Sequence, residues 1–102
     1  MAMQDDIKKT EDKVTILLVE DELIVAKNIQ HQLQKAGYQV AAIVDSGPEA
    51  ISQAGKLKPD LVLMDIKLSG AMDGIEAAQK INDDFQIPLI NLTAYAYDET
   101  YQ

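Results

Sequence analysis

The 102-residue sequence predicts an α/β domain, a doubly wound parallel sheet of strand order 2-1-3-4, and three observations carry that prediction. Four short apolar runs alternate without interruption with stretches of helical period. The runs are largely continuous rather than alternating, as in strands covered on both faces. With one Phe and four Tyr in the chain, the core must be aliphatic, which suits such strands.

Residues 1–12 carry Asp5, Asp6, Lys8, Lys9, Glu11 and Asp12 with almost no apolar content, so a flexible lead-in is expected before a single domain over 13–102. Residues 14–19 are β-branched and apolar and form the first expected strand, closing on Glu20-Asp21-Glu22. From Glu22 to Ala36, the residues Ala26, Ile29, Leu33 and Ala36 recur at three- and four-residue intervals. A helix is expected there, with acids at its positive end and Gly37 as its cap. Residues 38–44, with polar Gln39, read as a less covered edge strand.

Ser46 is expected to cap a second helix with Pro48 in its first turn and a stripe of Ala50, Ile51 and Ala54. Lys58-Pro59-Asp60 ends that helix and starts the third strand, 61–64, which stops on Asp65. A polar loop over 67–74 precedes a helix expected to bury Ile75, Ala78 and Ile81; Met72 is expected to anchor the loop and Asp73 to cap the helix. Residues 87–92 read as the fourth strand, with Pro88 tolerated near its start, and end at Thr93-Ala94. The first, third and fourth strands are the most apolar and are expected to be central.

The net charge of -8 argues against nucleic acid or an anionic membrane as partner. Without cysteine, disulfides and thiolate metal sites are excluded. No apolar run approaches the roughly 20 residues that span a bilayer, so a cytoplasmic location is expected. His31 lies among Gln30, Gln32 and Gln34 and reads as a surface residue.

In a 2-1-3-4 sheet the winding reverses between the first and third strands, and ligands sit at the carboxyl ends of the strands at that point. Glu20 and Asp21 close the first strand, Asp65 the third and Thr93 the fourth. Neighbouring strands lie about 4.8 Å apart, so these carboxylates should crowd together and raise one another's pKa values. A hard divalent cation resolves the conflict, and Mg2+ suits carboxylates plus water and a phosphate oxygen. Asp65, oriented by such an ion, is placed to act as a nucleophile toward phosphorus, with the Thr93 hydroxyl near the group it carries.

These residues resemble the receiver domains of two-component response regulators. The likeness is carried by Ile16-Leu17-Leu18-Val19-Glu20-Asp21-Glu22, Asp60-Leu61-Val62-Leu63-Met64-Asp65-Ile66, Met72-Asp73-Gly74-Ile75-Glu76 and Leu92-Thr93-Ala94, in order and at the right spacing. It implies the flavodoxin-like (CheY-like) fold and a phosphoryl group accepted on Asp65 from the phosphohistidine of a histidine kinase or phosphotransfer protein. It further implies that Asp21 ligates Mg2+ directly, that Glu20 acts largely through water, and that the backbone carbonyl of Lys67 is another ligand. Thr93 would be the switch hydroxyl, and the backbone N–H groups of Ile66 and Ala94 would contact phosphoryl oxygens.

The loop after Asp65 is one residue longer than the commonest receiver pattern, with Ser69 where proline is usual. It resembles receivers attached to sensor kinases and sensory modules. The family's fifth strand, fifth helix and phosphoryl-pairing lysine have no counterpart before Gln102, so the sequence is expected to be a C-terminally truncated receiver from a longer protein. Such a fragment is expected to be weakly phosphorylated and prone to pair through exposed apolar surface, a homodimer being one outcome. Tyr95, Tyr97 and Tyr101 read as either an output surface or packing for those missing elements. Two rival readings are a non-phosphorylated interaction module and a haloacid-dehalogenase-like phosphatase; the second needs a general acid where Lys67 stands.

Overall fold

The computed structural model describes residues 13–66, 68 and 74–92. Over them run β1 (Thr15–Val19), α1 (Leu23–Lys35), β2 (Gln39–Val44), α2 (Gly47–Leu57), β3 (Leu61–Asp65), α3 (Gly74–Phe85) and β4 (Leu89–Leu92). The strands form one parallel sheet in the order β2-β1-β3-β4, as the sequence predicts. A register shift between Ile16 and Leu17 marks an irregularity against β2.

Alternation along the strands divides the core into two layers. Leu17, Val19, Val62 and Met64 face α2 and α3, where Ala50, Ala54, Ala77 and Ile81 are buried. Ile16, Leu18 and Leu63 face Ala26 of α1, with Ile29 and Leu33 packed at the margin. Continuous apolar runs are therefore what this sheet requires, because both of its faces are covered. Seven aliphatic side chains, Ile16, Leu17, Leu18, Val19, Val62, Met64 and Ile81, are shielded almost completely. Each such burial contributes about 1.5–3 kcal/mol.

Local chemistry ends the helices where the sequence places the ends. The N–H of Tyr38 donates to the Leu33 carbonyl at 3.0 Å and that of Gly37 to Gln34 at 3.1 Å. With Gly37 at φ 100°, these bonds make a Schellman cap on α1. Ser46 accepts from the N–H of Glu49 at 3.3 Å at the start of α2, and Pro48 lies in its first turn. Lys58 closes α2 in the left-handed region at φ 48°.

Three expectations need correction. Ile75 of α3 is 60% exposed, because the helix begins on buried Gly74 and its inward stripe runs through Gly74, Ala77 and Ile81. Ala36 is exposed at the C-cap of α1 rather than part of its inward stripe. The fourth strand, expected to be central, has β3 as its one strand neighbour among the described residues; Leu89 and Leu92 pack against the core, while Ile90 is 51% exposed. Pro88 precedes β4 and presents its carbonyl to the Val62 N–H at 3.0 Å, a role that needs no N–H of its own.

At the amino ends of β1 and β3, the Asp60 carboxylate accepts from both the N–H (2.8 Å) and the hydroxyl (3.0 Å) of Thr15. The N–H of Asp60 donates back to the Thr15 carbonyl at 2.9 Å. The bonds donated to the carboxylate by the Thr15 N–H and hydroxyl favour the charged form and hold the Asp60 carboxyl below its ordinary 3.8.

Leu17→Ala is expected to lower the unfolding free energy by about 2–5 kcal/mol in urea titrations. Asp60→Ala should lower the urea midpoint at neutral pH. Its deficit against wild type should shrink as pH falls through the depressed Asp60 pKa, where protonation removes the same bonds from the wild type. A deficit independent of pH would contradict the carboxylate clamp.

Candidate functional site

Register decides which residues meet at the other end of the sheet. Ile16 pairs with Leu61 and Leu18 with Leu63, on the face covered by α1. Two residues further on, the same parity sets Glu20 beside Asp65. The N–H of Glu20 donates to the Val44 carbonyl at 2.9 Å, so the β1–β2 ladder extends to this residue. Asp21 begins the turn into α1. One carboxylate oxygen from each of Glu20, Asp21 and Asp65 lies within 4.8 Å of the others.

Glu20 is 6% exposed, and one oxygen accepts from the N–H of Glu22 at 3.1 Å. The acids before α1 are therefore not all at the service of the helix, since Glu22 occupies the N-cap position without a side-chain capping bond. Burial pushes the Glu20 carboxyl up from its ordinary 4.5 to about 7. The Glu22 N–H opposes that rise, while the charge of Asp65 and hydrogen bonding with Asp21 and Asp65 add to it. Beside the acids lies an open cleft of about 430 Å3 lined by Glu20, Asp21, Leu23, Ile43, Val44, Asp45 and Glu49.

Asp65 is held through the residues behind it. The N–H of Ile66 donates to the Leu92 carbonyl at 3.3 Å, and the carbonyl of Ile66 accepts from the Gly74 N–H at 3.0 Å. Gly74 is buried, and a Cβ there would overlap the carbonyl oxygen of Asp65 and stand 2.8 Å from both the Cα and the carbonyl oxygen of Ile66. The sequence places Gly74 at the end of the 67–74 loop; in the structure it is the first residue of α3, packed against the Asp65–Ile66 backbone. A glycine in the first turn after a strand-end acid was the available signal. Asp45, which follows β2 as Glu20 follows β1, also lines the cleft.

Of the residues expected to share the site, Glu20, Asp21 and Asp65 come together, and Ile66 follows directly. Lys67, Ser69, Met72, Asp73, Thr93, Ala94, Tyr95, Tyr97 and Tyr101 lie outside the described residues. His31 is exposed on α1. No helix among the described residues is long and apolar enough to cross a membrane.

The response regulator receiver domain family model matches residues 16–102. The chain is 36% identical over 81 residues to the transcriptional regulatory protein PdtaR of Mycobacterium tuberculosis, covering 79% of this chain and 39% of that protein. It is 32% identical over 81 residues to the phyllosphere-induced regulator PhyR of Methylorubrum extorquens, with 78% and 30% covered. It thus spans well under half the length of these relatives. Among solved structures, it is similar to the signal receiver domain of a modulated diguanylate cyclase from Desulfovibrio desulfuricans G20. The TM-score is 0.78 at 39% identity, over 87% of this chain and 71% of that one. For the response regulator PhyR from Brucella abortus the values are 0.75 and 34%, over 80% and 34%. With the 2-1-3-4 sheet already in view, the match makes the chain a member of the response regulator receiver domains of two-component signalling, with their CheY-like fold.

Proposed function

We propose that this receiver domain takes a phosphoryl group onto Asp65 from the phosphohistidine of a histidine kinase or phosphotransfer protein, with Mg2+ held by Glu20, Asp21 and Asp65. The observation that carries the reading is the convergence of three carboxylate oxygens within 4.8 Å at the carboxyl ends of β1 and β3. An all-oxygen donor set fits a hard cation and leaves Zn2+-type nitrogen and sulfur ligation aside. Asp21 and Asp65 would bind it directly, Glu20 largely through water, and the Lys67 carbonyl would add a ligand. Mg2+ when bound supplies charge neutralisation for the carboxylates and the incoming phosphoryl oxygens.

In the transfer, an Asp65 Oδ attacks phosphorus in line with the bond to the histidine nitrogen. The P–O bond forms as the P–N bond breaks; its electron pair stays on the imidazole nitrogen, which gains a proton from solvent. The acyl phosphate then draws the Thr93 hydroxyl and the backbone N–H groups of Ile66 and Ala94 toward its oxygens. The Ile66 N–H would exchange its 3.3 Å bond to Leu92 for this contact, which links the phosphoryl group to the end of β4. On this reading the domain is a cytoplasmic signalling module whose own chemistry is limited to self-phosphorylation and autodephosphorylation at Asp65. The net charge of -8 supports a protein rather than nucleic acid as its direct partner.

Incubation with acetyl phosphate and Mg2+ is expected to add one phosphoryl group, by intact mass, to a minor fraction of the molecules, in keeping with the weak phosphorylation expected from the sequence. The adduct should be labile to hydroxylamine and absent in Asp65→Asn. A stable adduct, or labelling that survives in Asp65→Asn, would refute the assignment.

Burial of Glu20 favours its protonated form, so that contribution to stability is complete below about pH 4.5 and is lost as pH rises through about 7. Without Mg2+, thermal stability should therefore fall across this interval, and Glu20→Gln should flatten the fall. Added Mg2+ binds ionised carboxylates and should raise Tm more above about pH 7 than below about pH 4.5. Equal Mg2+ stabilisation at both ends would count against carboxylate binding.

A further inference from the structure

We infer that Gly74 is a positioning residue for the Asp65 carboxylate, its missing Cβ letting the start of α3 lie directly on the peptide from which Asp65 projects. The inference rests on reading Asp65 as the phosphoacceptor. Three details carry it. The atoms a Cβ would meet, the Asp65 carbonyl oxygen and the Cα and carbonyl oxygen of Ile66, are all backbone, so no side-chain rotation could make room. The Gly74 N–H donates at 3.0 Å to the Ile66 carbonyl, so the two segments are bonded as well as touching. The Ile66 N–H is engaged on the other side by Leu92, leaving the Asp65–Ile66 unit clamped between β4 and the first residue of α3.

Gly55 supplies the contrast. A Cβ there would stand 2.9 Å from Cζ of the Phe85 ring, a side-chain neighbour that can turn aside. Phe85 closes α3 at the end away from Gly74, about 16 Å along the helix at 1.5 Å per residue. A methyl at Gly55 thus disturbs α2–α3 packing without reaching the acids. A methyl at Gly74 must move the helix start or the Asp65 peptide by about 1 Å, a misplacement that can cost on the order of 10²-fold in rate.

The decisive experiment compares Gly74→Ala, Gly55→Ala, Asp65→Asn and wild type. In metal-free protein, Gly74→Ala is expected to shift the 13C carbonyl resonances of Asp65 and Ile66, and Gly55→Ala to leave them in place. With acetyl phosphate and Mg2+, Gly74→Ala should be labelled about 10²-fold more slowly, at a temperature where circular dichroism shows it folded, and Gly55→Ala at the wild-type rate. Unmoved carbonyl resonances or a wild-type rate in folded Gly74→Ala would overturn the inference, as would an equal loss in Gly55→Ala. If wild type is not labelled, the phosphoacceptor reading fails, and with it the inference. If Gly74→Ala does not fold, hydrogen exchange in the wild type decides. A Gly74 amide protected like those of Leu63 and Met64 supports the clamp, and one exchanging like an open loop removes it.

Discussion

Three carboxylates with oxygens inside 4.8 Å of one another resist being gathered, and the rest of the domain is arranged so that they are gathered regardless. Two unit charges at that distance repel by roughly 1 kcal/mol in water and about 3.5 kcal/mol at an effective dielectric of 20. One fully buried aliphatic side chain contributes a comparable amount, and seven lie beneath the site in β1, β3 and α3. The sheet can therefore hold an arrangement its own acids oppose. The strain appears at Glu20, the most buried of the three, whose carboxyl is pushed up to about 7.

Parallel pairing in a single register is what turns that core into a site. Because Ile16 and Leu18 sit opposite Leu61 and Leu63, continuing both strands delivers Glu20 and Asp65 to the same face and the same end. A slip of one residue would turn one of them to the opposite face. The Thr15–Asp60 clamp ties the two strands at their amino ends, far from the acids, and helps fix this register. Gly74 fixes the other end by allowing α3 to touch the Asp65 backbone. Register and helix contact thus connect ordinary packing to the geometry of one carboxylate.

Much of this was legible in the sequence because it depends on local pattern. The uninterrupted alternation of apolar runs and helical stripes specifies strands buried on both faces, and the relative apolarity of the runs leads to the order 2-1-3-4. Ser46, Gly37 and Lys58-Pro59 mark helix ends through short-range chemistry that needs no tertiary context. Acids at strand ends, read with the switch-point rule, bring Glu20, Asp21 and Asp65 to one place. Where the structure departs from the local pattern, the phase of an element is set by something distant. Ile75 faces solvent because Gly74 must face β3, and no periodicity within α3 alone carries that information.

The sequence by itself determined the fold class, the strand order and the helix ends at Gly37, Ser46 and Lys58, because these follow from the apolar pattern of the chain and from short-range side-chain chemistry. Tertiary structure decided how deeply Glu20 is buried, which residues share its cleft, and that Gly74 bears on the Asp65 backbone. Burial and close approach arise between segments far apart in the chain. They come into being when β1, β3 and α3 are packed together, and one-dimensional pattern carries no measure of distance across that junction.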